Sequence, residues 1–205
     1  MAIIAYTDGS CMDGDGAAGA CLFNSSGLQL GSCVCRFKAT TNNRMELMAA
    51  IMAMHWCGDR ANIDLWIHTD SKYVCDNYND YLEEWKINGW RKTHGQPVLN
   101  IELWKRLDFM AHVFSSVQFY WVEAHAHSDP NNLVDRMVFN AVTTKENPYG
   151  LGRFNHFSGG GHTCNISPDG AALEWKKQES TIYANAAYTT TGTDYFGYTE
   201  AAIYR

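Results

Sequence analysis

The sequence predicts an α/β protein: a five-stranded mixed sheet, three strands antiparallel and the rest parallel, flanked by helices and followed by a small C-terminal appendage. Three observations predict it. The opening segment reads as consecutive apolar strands separated by turn residues. From Arg44 to Thr144, helix-type and strand-type patterns alternate. Beyond Lys145 the composition shifts toward Gly, Asn, Ser and His.

AIIAYTD at 2–8 is an apolar run ending in Asp-Gly-Ser, a strand entering a turn, and GAAGACLFN and LQLGSCVCRFKAT continue an antiparallel meander across the turn residues Asn24 to Gly27. RMELMAAIMAMHW at 44–56 holds strong helix formers and meets no Gly or Pro until Gly58. NIDLWIHTDS at 62–71 is a fourth strand, and SKYVCDNYNDYL continues as a helix. EEWKINGWRKTHGQP breaks at Gly89, Gly95 and Pro97 before LNIELWKRLDFMAHVF resumes helical spacing. SVQFYWVEAHA at 116–126 is the fifth strand, and DPNNLVDRMVFNAVTT a final helix with Asp129 as its cap and Pro130 in its first turn. An antiparallel meander followed by strands reached through helical crossovers gives a mixed sheet. The domain boundary is expected between residues 144 and 145.

A hydrophobic content of 46% and a charged content of 19% are ordinary for a soluble globular chain. No apolar run approaches the roughly 20 residues needed to cross a bilayer, so no membrane partner is expected. MAIIAYTDGS lacks a basic n-region and a small-residue cleavage site, which predicts a cytoplasmic protein. The seven cysteines include no C-x-x-C pair and read as mostly buried thiols. The net charge of −6 taken alone argues against a polyanionic partner. Acids gathered at a metal site and bases gathered at a groove would nevertheless sum to a negative number and still bind one.

Four acids stand where acids are unexpected. Asp8 ends the first strand, Asp70 ends the fourth, Glu46 lies in the first turns of an apolar helix, and Asp135 sits in the last helix between Val134 and Met137. Each has an ordinary reading alone. Asp8 and Asp70 suit turns, Glu46 stands at capping-box distance from Asn43, and Asp135 could face solvent. Together they are harder to dismiss, because neighbouring parallel strands bring their C-terminal ends side by side, where sites form in open α/β sheets. Converging carboxylates must take up protons or a cation. Oxygen-only ligands suit Mg²⁺, with Mn²⁺ as a substitute.

YTDGSC, TTNNRMELMAAI, HTDSKYV, NGWRKT with QPVLNIELWKRLD, and HAHSDPNNLVD, in this order, resemble a type 1 ribonuclease H of the bacterial kind across about residues 1–144. The resemblance implies the ribonuclease H-like fold and a catalytic domain over 1–144. It also implies endonucleolytic cleavage of the RNA strand of RNA/DNA hybrids, leaving 5′-phosphate and 3′-hydroxyl ends. By the same resemblance Asp8 bridges two Mg²⁺ ions, Asp135 completes the one that activates water, and Glu46 and Asp70 hold the one facing the leaving oxygen. Such ions lie about 3.5 to 4 Å apart. His125 matches the family's mobile histidine, suited by its titration to proton transfer or product release. His127 is read as a loop residue, since an H-x-H pair is too weak a pattern for zinc.

For the substrate, the resemblance places Asn42 and Asn43 at the minor groove, where the 2′-hydroxyls that distinguish RNA are displayed. It places Thr41 near a DNA phosphate, and Cys11 and Lys72 close to the hybrid. Asn43 is also read as the helix cap. Residues 81–99 correspond to the family's basic handle, here with Lys86, Arg91 and Lys92 among Tyr81, Trp85 and Trp90, and opposed by Glu83 and Glu84. Trp85 and Trp90 have a second reading as the handle's own small core. Gly14 stands where an Asn is expected to help hold the substrate, and with Asp13 and Asp15 nearby this predicts weaker hybrid binding than in strongly basic relatives.

Residues 145–205 carry five bases against six acids and match no familiar module. They are expected to form a small β-rich appendage that docks on the core or mediates self-association, the protein being otherwise a monomer. Two other function classes fit the pattern less well. A binding module without catalysis is opposed by the intact acid set. An integrase-type strand-transfer enzyme is opposed by the handle and TTNNRMEL.

Overall fold

The computed structural model describes residues 2–57, 61–124 and 129–144, and the backbone of residues 162–166 and 173–177. The meander forms as expected: β1 (Ala2–Met12), β2 (Asp15–Asn24) and β3 (Gln29–Phe37) pair antiparallel. β4 (Asp64–Thr69) lies parallel to β1, and β5 (Ser116–Trp121) parallel to β4, so the sheet runs β3-β2-β1-β4-β5. β6 (His162–Ile166) and β7 (Leu173–Lys177) form a separate antiparallel hairpin.

β1 is longer than its sequence suggests. Asp-Gly-Ser does not turn the chain; pairing with β2 continues to Met12↔Asp15, and the reversal falls at Asp13 and Gly14, with φ of 52° and 82°. Two positive φ angles in a two-residue loop match the right-handed twist of the strands they join. Asp8 is thereby an interior strand residue opposite Gly19. The parallel ladder with β4 ends one residue earlier, at Thr7↔Thr69, so Asp8 and Asp70 both follow its last rung.

α1 (Asn42–Trp56) is buried on nearly every side, from Met45 to Met54 without a break. It is wedged between the sheet and α4 (Ile101–Ala111), whose Leu103, Trp104 and Leu107 share its core. A helix apolar all round belongs in such an interior. Burying each large side chain contributes about 1.5 to 3 kcal/mol. α2 (Lys72–Asp76) passes through a π-helical turn at Asn77–Tyr81 into α3 (Leu82–Ile87), so the helix reaches beyond Leu82 before the chain breaks at Gly89. α5 (Asp129–Thr144) packs Val134, Met137, Val138 and Ala141 on the opposite sheet face. The candidate stop at Gly58 lies outside the described residues, as does the side chain of Asp129.

Candidate active site

Three of the four expected acids converge. One carboxylate oxygen from each of Asp8, Glu46 and Asp70 lies within 4.8 Å of the other two, the one such group among the described residues. β1 and β4 deliver the two aspartates through their parallel register, and α1 delivers Glu46 from above. The third delivery depends on Gly9. A methyl group there would stand 2.2 Å from both the Glu46 backbone nitrogen and the Met45 carbonyl carbon, so a bare Cα lets α1 approach β1 this closely.

Asp135 is not within that triplet, yet its charge reaches Asp8 and raises its pKa. Its placement follows from Gly19, the β2 partner of Asp8, which leaves room for Val134 and Val138 of α5 beside it. His125 lies outside the described residues, as does His127.

The acids sit where a charge is costly. Asp8 is 8% exposed and Glu46 7%. Burial, then the charges of Asp70 and Asp135, push the Asp8 carboxyl up to about 7. Burial, then the charges of Asp8 and Asp70, raise Glu46 well above the usual carboxylate range. The Gly9 amide bonds to both carboxylates and offsets part of this. Glu46 Oε2 is buried and has no hydrogen-bond partner. An orphaned carboxylate oxygen beside two more acids is an arrangement completed by a cation.

The expected cap at Asn43 does not form. Thr41 holds the N-cap position of α1 without a side-chain capping bond, so Glu46 closes no capping box. Asn42 Oδ1 instead accepts the Cys11 N–H at 3.2 Å, tying the end of β1 to the start of α1. With Oδ1 so engaged, Asn42 offers its amide nitrogen as a donor. Thr41, Asn42 and Asn43 are all exposed at the start of α1, the helix that carries Glu46.

On the handle, Arg91 and Lys92 are exposed, on a loop pinned by Arg91 Nη1 donating to the Gly95 carbonyl at 2.8 Å. Tyr81 is 47% exposed. Trp85 is a correction: at 5% exposure its ring meets Trp104 edge-on at 5.5 Å, so it belongs to the core and presents no face to a substrate. The helix that continues through Leu82 turns it inward. Trp90 is partly buried against the same core, with Lys105 Nζ 5.8 Å from its ring centre. Lys86 is held by Glu83 at 2.8 Å and Asp108 at 3.0 Å, bracing α3 against α4.

Two residues of the site escaped the sequence reading. Gly9 was visible only as the middle of a turn signal. Trp121, at the end of β5, donates its indole N–H to the Asp70 carbonyl at 3.1 Å.

Residues 1–143 match the family model described as RNase H. The chain is 43% identical over 144 residues to a ribonuclease H of Ehrlichia canis (strain Jake), covering 69% of this chain and 94% of that protein. It is 38% identical over 143 residues to a ribonuclease H of Pseudoalteromonas atlantica, covering 68% and 90%. Among solved structures, LC9-RNase H1, a type 1 RNase H with the type 2 active-site motif, aligns with a TM-score of 0.61 at 25% identity over 71% of this chain and 74% of its own. LC11-RNase H1, solved in complex with an RNA/DNA hybrid, shares the fold with a TM-score of 0.54 at 19% identity, over 70% and 98%. Matches of this length, coinciding with the sheet and the helices that gather the acids, mean that the chain belongs to the ribonuclease H family.

Proposed function

We propose that this protein hydrolyses the RNA strand of RNA/DNA hybrids as a divalent-metal-dependent endonuclease, leaving 5′-phosphate and 3′-hydroxyl ends. The observation that carries the reading is the convergent triplet of Asp8 and Glu46, both buried, and half-buried Asp70, with its orphaned Glu46 oxygen. The donor set is all oxygen, which suits Mg²⁺, with Mn²⁺ able to replace it. Asp8, Glu46 and Asp70 would hold one ion and Asp8 with Asp135 a second. A bound pair of such ions supplies charge stabilisation to both the entering and the departing oxygen of an in-line displacement.

The remaining work falls to the chain. Asn42, Asn43 and Cys11, gathered where the end of β1 is tied to the start of α1, would meet the minor groove, where short polar groups test for 2′-hydroxyls. Thr41 would meet a DNA-strand phosphate, Lys72 would lie close to the hybrid, and Tyr81, Trp90, Arg91 and Lys92 would meet the DNA strand along the handle. Lys86, tied to two acids, would act mainly as a brace, and His125 would move a proton or release product. Residues 1–144 form the catalytic domain in this proposal, supported by the end of α5 at Thr144 and of the family match at residue 143. Residues 145–205 are an appendage to a cytoplasmic monomer or a means of self-association. Among the described residues no helix is long and apolar enough to cross a membrane.

The test offers labelled RNA/DNA hybrid, double-stranded RNA and double-stranded DNA to the protein, each with Mg²⁺ or EDTA. Only the hybrid should be cut, in its RNA strand, and only with Mg²⁺. Hybrid cleavage that persists in EDTA would sink the metal reading; equal cleavage of double-stranded RNA would sink the substrate.

The raised carboxyls add a prediction about metal removal. The folded pKa of Asp8, about 7, exceeds its ordinary 3.8. In the metal-free protein the fold is therefore favoured while Asp8 holds its proton, fully below the unfolded pKa, and that contribution is lost as pH rises through about 7. Glu46 acts in the same direction. Melting temperature in EDTA should fall from pH 5 to pH 8, and added Mg²⁺ should restore more of it at pH 8 than at pH 5. A Mg²⁺-induced gain that is equal at both pH values would contradict the assignment.

A further inference from the structure

β5 ends on a large aromatic side chain in an unusual place. Trp121 is 45% exposed and stands beside Asp70 rather than in the core. Two contacts fix it there. Its indole N–H donates to the Asp70 backbone carbonyl at 3.1 Å, and its ring carries the Lys72 ammonium 4.8 Å from the centroid. The β4–α2 turn between these points is stapled by the Ser71 N–H donating to Thr69 Oγ1 at 3.1 Å, and by the Ser71 side chain accepting from the Val74 N–H. The next residue of β5's exit, Val122, donates its N–H to the Thr69 carbonyl at 2.9 Å. Asp70 and Lys72 thus hang on a short turn whose outer flank is the Trp121 ring.

An ammonium two residues from an acid cluster would ordinarily be drawn onto the carboxylates. Held against an indole face it keeps a cation–π partner and can still direct its hydrogens outward. We infer that Trp121 is a positioning residue, which aims the Lys72 ammonium at a backbone phosphate of the bound hybrid and steadies the Asp70 main chain. The inference rests on the hybrid as substrate.

The test measures hybrid affinity against salt in Mg²⁺, in an Asp8→Asn parent so that the hybrid is not consumed. Each phosphate contact contributes about 0.7 to 0.9 to the slope of log affinity against log salt. Lys72→Met should lower the slope by that amount. Trp121→Leu should lower it equally, and the double variant should lower it no further, because the two residues act as one unit. Trp121→Phe, which keeps a ring but no N–H, should retain most of the slope while reducing kcat by a few-fold when Asp8 is restored. A merely structural Trp121 would lower the melting temperature and leave the slope at its parent value, and that result overturns the inference. So does a double variant that loses twice the slope, or an unchanged kcat in Trp121→Phe. If Trp121→Leu fails to fold, the Trp121→Phe pair of readings still decides. Absence of hybrid binding by the parent overturns the substrate reading and this inference with it; a parent slope in Trp121→Leu overturns only the latter.

Discussion

Asp70→Asn is expected to reduce Mg²⁺-dependent hydrolysis of an RNA/DNA hybrid by at least about a thousandfold, and at the same time to raise the melting temperature of the metal-free protein above pH 7. The first effect follows from the ligand set. An amide oxygen carries no charge to hold the cation, whose stabilisation of the displaced oxygens is worth several kcal/mol, and each 1.36 kcal/mol is tenfold in rate. The second effect follows from repulsion. Asp70 is the largest charge raising Asp8 and, with Asp8, raises Glu46. Neutralising it brings both carboxyls closer to their ordinary values, so less of the folded state's stability is lost as pH rises. A site that sacrifices stability to gather like charges is improved as a fold when one charge is removed, at the cost of its chemistry. Steady-state cleavage of a labelled hybrid and thermal melting in EDTA read the two effects separately. Activity within tenfold of wild type would exclude Asp70 as a ligand; a lower metal-free melting temperature would mean that hydrogen bonding by Asp70 outweighs its repulsion.

What was legible in the sequence was local. α5 was expected over DPNNLVDRMVFNAVTT and occupies Asp129–Thr144, because its N-terminal Asp-Pro and its apolar spacing are written within the helix itself. α1 and β4 were equally plain, and so was the crossover that brings β4 beside β1. Misreadings arose wherever a local signal competed with a partner distant in sequence. Asp-Gly-Ser looked like a turn, but β2 supplied rungs as far as Met12, and the strand ran through. Asn43 looked like a cap, but the neighbouring Asn42 was held by the Cys11 amide, a bond across 31 positions. Trp85 had two readings, as a handle aromatic for the substrate and as part of a small core, and its packing against Trp104, a partner distant in sequence, decides for the core. The acids were findable one by one, as charges in apolar surroundings. Their separation was not, because it depends on how near one backbone can come to another.

That nearness makes Gly9→Ala the most demanding test of the site. Gly9 has no unusual backbone angle among the described residues with positive φ, so the constraint is space rather than conformation. The added methyl would fall 2.2 Å from the Glu46 nitrogen, 2.2 Å from the Met45 carbonyl carbon and 2.6 Å from the Met45 oxygen. These are backbone atoms within a buried helix and cannot rotate aside. α1 must retreat by about an ångström or more to reach ordinary contact, carrying Glu46 away from Asp8 and Asp70. Overpacking of this kind costs about 1 to 3 kcal/mol of stability, and a misplacement of about 1 Å costs on the order of a hundredfold in rate. The Gly9 N–H, which bonds to both carboxylates, would be displaced with them. Gly27→Ala provides the comparison. At φ 82° with nothing within 4 Å, it should lose stability through backbone strain and keep its activity. Gly9→Ala should lose kcat/KM by about a hundredfold and bind Mg²⁺ more weakly by calorimetry, at a melting temperature that Gly27→Ala matches with full activity. If Gly9→Ala cleaves hybrid within a few-fold of wild type, the close approach of α1 to β1 does not set the geometry of the acids.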